Sequence, residues 1–384
     1  MRSGFRMFPN SDCNPYYIVS DPYTRVSAGI KSLHLLCHHL NLTGIPAYMI
    51  VIGKEHNYSE GFVEADFLTP ILTQRSARIH FAKNKTPIMV YPETVSGNPY
   101  ASPCVVRYVL NFPGLLGGDK EYGSNELCFG YSKILAATTP YPENVICIPA
   151  SDPRIFFPPS SQVKREGSCY YASKYKREHN GKLFEITKNS TEITSRMPNS
   201  QSPDEIADLF RKTELFYTYE NTALALEARL CGCPAVFLPN EYLKSIIGFE
   251  EFGSDGFAWG ASPDEIDKAK VSVHKAHKNY EMAIDNFQQQ FIEFINLTQK
   301  HSKEKKYSRE QYLELCQHIP ESPDDKWLLG EIGIKYRHYA PLLSKLPWKI
   351  EQKIGALLCS LGLTNDGEFL WNRALNRSRK DGEK

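Results

Sequence analysis

Two carboxylates, a small group of hydrogen-bonding side chains and a short basic run hold most of the chemistry this chain could perform. Glu220, Asn221 and Thr222 stand between the apolar run 215–219 and a helical pattern, and Glu227 follows Glu220 by seven residues. On one helix, seven steps of about 100° return to nearly the same face with a rise of roughly 10 Å. A single stripe could then reach both ends of a ligand as long as a nucleotide-sugar. A helix start also aims unpaired N–H groups and the positive end of the dipole at its ligand, which suits a phosphate. The run Lys174-Tyr175-Lys176-Arg177 follows the apolar stretch 168–172. Its bases could balance the charge of a departing diphosphate, although a basic run after a strand is commonly a solvated turn.

The first half of the chain offers a second set. Glu93 follows the apolar stretch 88–91 and precedes Gly97-Asn98-Pro99. A carboxylate at the C-terminal end of a strand stands where open sheets bind ligands. It could orient a hydroxyl or take its proton, or be an ordinary loop glutamate. Ser27-Ala28-Gly29 forms a small-residue turn into a helix, which any strand-to-helix junction needs. His34 and His38 are spaced i, i+4, but Leu35, Leu36 and Leu40 share that helix, so a place at the core edge is expected and not a metal pair. Cys231-Gly232-Cys233 lacks a second pair of ligands for zinc.

These residues need elements to position them. The chain reads as a strand over 16–20, a helix over about 30–42 ended by Gly44 and Pro46, and a strand over 47–52. That βαβ opening implies a parallel sheet covered by helices. Further strands are expected at 88–91, 105–110, 126–130 and 144–148. A break rich in proline and serine spans 149–164, with Pro158-Pro159-Ser160-Ser161 at its centre, and suggests a boundary near 160. The second α/β run has strands at 168–172 and 182–186 and a helix over 203–211, with Pro203, Asp204 and Glu205 in its first turn. The strand–helix–strand unit 215–239 comes next, then a long helical region over 263–299. The expected organisation is 1–160 as an acceptor domain, 161–300 as a donor domain and 301–384 as a helical basic tail. The fold class is α/β, two Rossmann-like domains facing a cleft.

The chain's 384 residues suit two domains and an extension. A formal net charge of +1 gives no global field for nucleic acid. Ten scattered cysteines, no apolar leader and no bilayer-length apolar run point to a reduced, cytoplasmic protein.

The stretch 220–239 resembles the C-terminal donor site of GT-B fold glycosyltransferases, especially the large retaining family four. There the pattern is Glu, seven residues, Glu-Ala, followed by Gly-x-Pro-Val-Val. Glu227-Ala228 and Gly232-Cys233-Pro234-Ala235-Val236 match its second half, while six residues separate Glu220 from Glu227. The resemblance implies that Glu227 grips the ribose hydroxyls, that Glu220 approaches the donor sugar, and that Lys174 and Lys176 clamp the diphosphate. Tyr219, Asn221 and Thr222 complete the implied donor site, and Ser27, Gly29 and Asn98 the acceptor side, with Glu93 and Glu220 as catalytic candidates. Tyr91-Pro92-Glu93, Gly97-Asn98-Pro99, Val105-Val106-Arg107-Tyr108, Leu110-Asn111, Pro113-Gly114 and Gly117-Gly118 look like a bacterial subgroup found with surface-polysaccharide, O-antigen and rhamnan assembly. The implied activity is metal-independent, retaining transfer of a hexosyl or deoxyhexosyl unit. Its donor would be a UDP-, dTDP- or GDP-linked sugar, its acceptor a glycan or lipid-linked saccharide, and no further cofactor is implied.

Two other readings stay open, a nucleotide-sugar epimerase of the same fold and a non-catalytic glycan-binding scaffold subunit. Between Lys335 and Lys380 nine bases face three acids among interleaved Tyr, Trp, Leu and Ile. That mixture suits either an anionic membrane surface, making the protein peripheral, or a helical cap on the enzyme.

Overall fold

The computed structural model describes residues 12–24, 27–52, 67–123, 125–160, 163–194 and 200–321. The basic stretch 335–380 lies outside the described residues, as does most of the expected tail. The first sheet is formed by β1 (Tyr16–Ser20), β2 (Ala47–Val51), β3 (Ile88–Pro92), β4 (Cys104–Val109) and β5 (Leu127–Gly130), flanked by α1 (Ala28–Leu42), α2 (Gln74–Ala82) and α3 (Lys133–Ala136). Its order is β2-β1-β3-β4-β5 and every pair is parallel. The strands are almost fully buried because helices cover both faces, and they are apolar but for Ser20 at the end of β1 and Arg107 within β4.

The second sheet uses β6 (Ser168–Tyr171), β7 (Thr191–Glu192), β8 (Leu215–Thr218), β9 (Ala235–Phe237) and β10 (Phe257–Trp259). Between them run α4 (Ser173–His179), α5 (Pro203–Lys212), α6 (Ala223–Leu230) and α7 (Phe249–Phe252). Its order is β10-β9-β8-β6-β7, again all parallel. Counted from its own first strand this is the same winding as the first sheet. The chain is therefore two Rossmann-like α/β domains, and each sheet reverses its direction of winding once, between β1 and β3 and between β6 and β8.

Two expected strands differ. Residues 144–148 make one parallel bridge, Val145 to Gly130, before the chain leaves for the interdomain segment, although Ile146 and Ile148 are fully buried. Residues 182–186 pair with no strand. Phe184 N–H donates to Tyr219 Oη at 2.7 Å, and the backbone tightens into a 3-10 turn over Glu185–Thr187.

The C-terminal helices are α8 (Pro263–Ser272), α9 (Ala276–Lys303) and α10 (Arg309–His318). The buried residues of α9 recur every three or four positions, the spacing of a single helix face. Tyr280 and Ala283 enter the core of the second domain, whereas Phe287, Phe291 and Phe294 enter that of the first. Polar pairs fix the far end. Gln299 accepts from Asn14 N–H and donates to Asn14 O, both at 2.9 Å, and Tyr16 Oη lies 2.6 Å from Thr298 Oγ1. Among the described residues no helix is long and apolar enough to cross a membrane.

Candidate functional site

The C-terminal ends of both sheets meet at a cavity of about 640 Å³ between the domains, a size that suits a small ligand. Asp21 and Glu93 reach it from just beyond β1 and β3, Tyr171 from the last position of β6 and Glu220 from beyond β8. These are the two places where the winding reverses, where open α/β sheets leave a crevice.

Glu93 is the best-defined carboxylate of the first wall. It is almost fully buried, and its Oε2 accepts from Leu110 N–H at 2.9 Å. Burial pushes its carboxyl up to about 7, against the lowering effects of backbone N–H groups and of Lys174 on the opposite domain. Ser27 and Gly29 also line the cavity. Ser27 stands at the N-cap of α1 but caps no N–H with its side chain. Asn98 does not reach the cavity: it accepts from Tyr91 Oη at 2.9 Å and from Ser102 N–H, and donates to Ser102 O, which closes its own turn.

On the second wall Glu220 lies before the helix and not on it. The helix starts at Ala223, because Thr222 is extended and its side chain accepts from Leu224 N–H. The seven-step stripe expected from Glu220 to Glu227 therefore does not form. Glu220 turns instead to the start of α4, where Oε2 accepts from Tyr175 N–H at 2.8 Å. Its Oε1 is buried with no partner among the described residues. Burial raises its pKa, opposed by the Tyr175 N–H and by Lys174. Lys174 thus acts electrostatically on carboxylates of both domains.

Asn221 and Thr222 line the cavity. The amide of Asn221 is committed, donating to Ser245 O at 3.0 Å and accepting from Ile247 N–H at 2.9 Å, so it clips the following loop. Tyr219 faces away, with its hydroxyl on Phe184 N–H and 2.7 Å from Thr187 Oγ1. Lys176 pairs with Glu192 and is not part of the cavity wall. Glu227 is buried, and Ser151 Oγ donates to its Oε1 at 3.4 Å. Burial raises its pKa, opposed by Lys31 and Ser151. Ser151 itself borders the cavity, so Glu227 sits one side chain behind the wall.

Arg177, Glu178 and His179 join Lys174 on the wall. The signal that groups the first two with Lys174 is helical spacing: once 173–179 is a helix, positions 174, 177 and 178 share one face and 176 does not, while His179 ends the helix off that face. Away from the cavity, His34 Nε2 lies 3.3 Å from Asp21 O and His38 Nδ1 accepts from Leu68 N–H at 2.8 Å, so the two histidines are engaged separately.

No known family model matches the chain, and no curated protein matches it. Among solved structures it is similar to AviGT4, a glycosyltransferase involved in avilamycin A biosynthesis, at 12% identity over 74% of this chain and 98% of that one, with a TM-score of 0.35. It is also similar to the glycosyltransferase SnogD from Streptomyces nogalater, at 10% identity over 74% and 99% of the two chains, with a TM-score of 0.39. Neither likeness is close enough to carry a substrate or a reaction across.

Proposed function

We propose that the protein is a glycosyltransferase that moves a hexosyl or deoxyhexosyl unit from a nucleotide-sugar to a glycan or lipid-linked saccharide in surface-polysaccharide synthesis. One observation carries the reading: Lys174 stands electrostatically between Glu93 and Glu220, which enter a single cavity from opposite domains. Cleavage of a sugar–diphosphate bond builds negative charge on the leaving group, and preorganised positive groups stabilise it. Lys174, Arg177 and the start of α6 are the groups placed to do so.

Glu220 would face the donor sugar with its unpartnered Oε1, and Glu227 would share a ribose hydroxyl with Ser151. Glu93 would orient the acceptor hydroxyl. Transfer proceeds with retention, the departing diphosphate taking the acceptor proton, so the new bond to the anomeric carbon forms on the face the diphosphate leaves. The cations of the protein make a divalent metal unnecessary, and turnover is expected to be unchanged by EDTA.

Thermal-shift screening against UDP, dTDP, GDP and CMP, with their sugars, tests the reading. One of the diphosphates is expected to stabilise the protein, and Lys174→Ala to abolish that shift. If no nucleotide raises the melting temperature, the transferase reading fails. An inverted product by NMR would move Glu93 from orienting group to general base. Turnover of the sugar without acceptor, giving an epimer, would favour the epimerase.

A further inference from the structure

We propose that Glu251 is a positioning residue: by holding the backbone of Lys133 in the other domain, it sets the spacing between the two walls of the cavity. Its bearing on catalysis rests on the transferase reading; the contact itself does not. That reading divides the work between the domains, with Glu93 on one wall and Lys174 and Glu220 on the other. A hydroxyl must come within about 3–3.5 Å of the carbon it attacks, and a displacement of about 1 Å costs on the order of 100-fold in rate. The relative placement of the domains is therefore part of the machinery, although Glu251 itself does not line the cavity.

The contact ends a brace made by residues 245–252 of the second domain. The side chain of Asn221 holds both Ser245 O and Ile247 N–H, which ties the brace to the residues leading into α6. Ile247 then crosses to the first domain and packs against its cluster of Val109, Tyr122, Cys128 and Leu135. Gly248 follows with φ +81°, and a Cβ there would stand 3.0 Å from the Phe252 ring, so the turn into α7 is tight. Within α7, Glu251 Oε1 accepts from Lys133 N–H at 2.7 Å, and Glu250 pairs with Lys133 Nζ at 2.9 Å. These two contacts differ in kind. The Glu250 pair is largely exposed on both sides and contributes little. Glu251 grips main chain, just beyond the end of β5. Tyr131, between that strand and Lys133, lines the cavity and packs against the cores of both domains. Phe252, next to Glu251, lines it too and stacks on Tyr280 of α9 at 6.0 Å. Each end of the bond therefore lies beside a ring of the cavity wall.

The test measures the spacing directly on the full chain. Spin labels are placed at Ala82 of α2 and Asp204 of α5, both exposed, through a non-cysteine handle because the chain has ten cysteines. The distance distribution between them is read by pulsed electron paramagnetic resonance. Glu251→Ala is expected to broaden it about two-fold, since domains whose interface is loosened move relative to one another. Glu251→Gln keeps an oxygen for Lys133 N–H and is expected to restore the narrow distribution. Glu250→Ala, which removes only the exposed pair, is expected to match the wild type. Thermal shifts by UDP, dTDP and GDP, which report on the second domain, are expected to be the same in all four proteins. A wild-type distribution in Glu251→Ala overturns the inference, as does a Gln variant as broad as the Ala variant or a Glu250→Ala variant equally broad. A nucleotide shift lost together with the narrow distribution assigns Glu251 to the fold of its own domain and overturns it too. If the wild type binds none of the three nucleotides, the transferase reading fails instead, and the distances still judge the contact.

Discussion

The two domains wind their sheets identically, yet each stabilises its loops with a buried arginine in a different manner. Arg107 in the first domain donates to both carboxylate oxygens of Glu126, at 2.8 and 3.1 Å, and to the carbonyls of Val95 and Gly97. Arg229 in the second donates to carbonyls only, to Gly253 and Asp255 at 2.9 and 2.7 Å and more weakly to Phe252. Its guanidinium stacks 3.5 Å from the ring centre of Phe257, and its Nε has no partner among the described residues. Burial pushes Arg229 down to about 9, with Asp255 opposing. A common topology therefore fixes where the loops emerge and leaves open what holds them. The first domain neutralises its buried charge, and the second disperses it over peptide dipoles and a ring.

The sharpest way to break this comparison is to remove each cation. Arg107→Met leaves Glu126 without its buried partner and is expected to cost about 3–5 kcal/mol. Arg229→Met strands carbonyls but no carboxylate and is expected to cost about 1–3 kcal/mol. Urea unfolding of the two variants measures both, and equal losses would show that the difference in partners has no energetic meaning.

Next in size is the cation that addresses both domains. Lys174→Ala is expected to lower transfer from the nucleotide-sugar found by screening about 100-fold or more, with little change in melting temperature. A drop below three-fold would move the leaving-group charge to other residues.

Glu93 links the site to pH. Its folded pKa of about 7 lies above its ordinary value of 4.5, so the folded protein holds this proton more tightly than the unfolded chain does. Stability is therefore highest below the ordinary value, falls as pH rises through the interval, and levels off above 7, for a total of about 3 kcal/mol. Glu93→Gln, which keeps an acceptor for Leu110 N–H, should remove this component. Matching stability–pH profiles for wild type and variant would discard the assignment.

The smallest expected effect is on the opposite wall. Glu220→Ala removes the acceptor for the Tyr175 N–H and should cost about 1 kcal/mol, since the same change relieves a buried carboxylate oxygen that lacks a partner. Glu220→Gln should hold stability within that margin while transfer falls.

Much of the scaffold was legible because burial on both faces writes parallel strands as short apolar runs. β1, β3 and β8 stand out for that reason, and α5 is announced by Pro203, Asp204 and Glu205 in its first turn, to which the structure adds reciprocal bonds between Ser202 and Glu205. The site was less legible. α4 carries one buried side chain, Tyr175, so its polar sequence has no apolar period to reveal a helix; the basic run pointed to Lys174 and Arg177, but Glu178 and His179 went with the helix. Glu220 was misplaced because the spacing to Glu227 resembles two helical turns, whereas the cap at Thr222 starts the helix three residues later. Asn221, Tyr219 and Asn98 are of types that bind ligands, and they are spent on neighbouring backbone. Which use a polar side chain serves depends on what the fold brings beside it: for Tyr219 and Asn221 that partner lies 24 to 35 residues away in sequence, and for Asn98 it lies within its own turn.

The split allegiance of α9 bears on how the protein is made. Phe287, Phe291 and Phe294 complete a core whose first strand starts at Tyr16, and Gln299 and Ser302 bond to Asn14. During vectorial synthesis the leading domain must therefore emerge with one flank unsealed until α9 follows, Gln299 lying 285 residues after Asn14. A nascent chain released before that helix is complete would offer aromatic-hungry strands to chaperones, and a truncated first half is expected to be insoluble alone and rescued by a peptide covering 276–303.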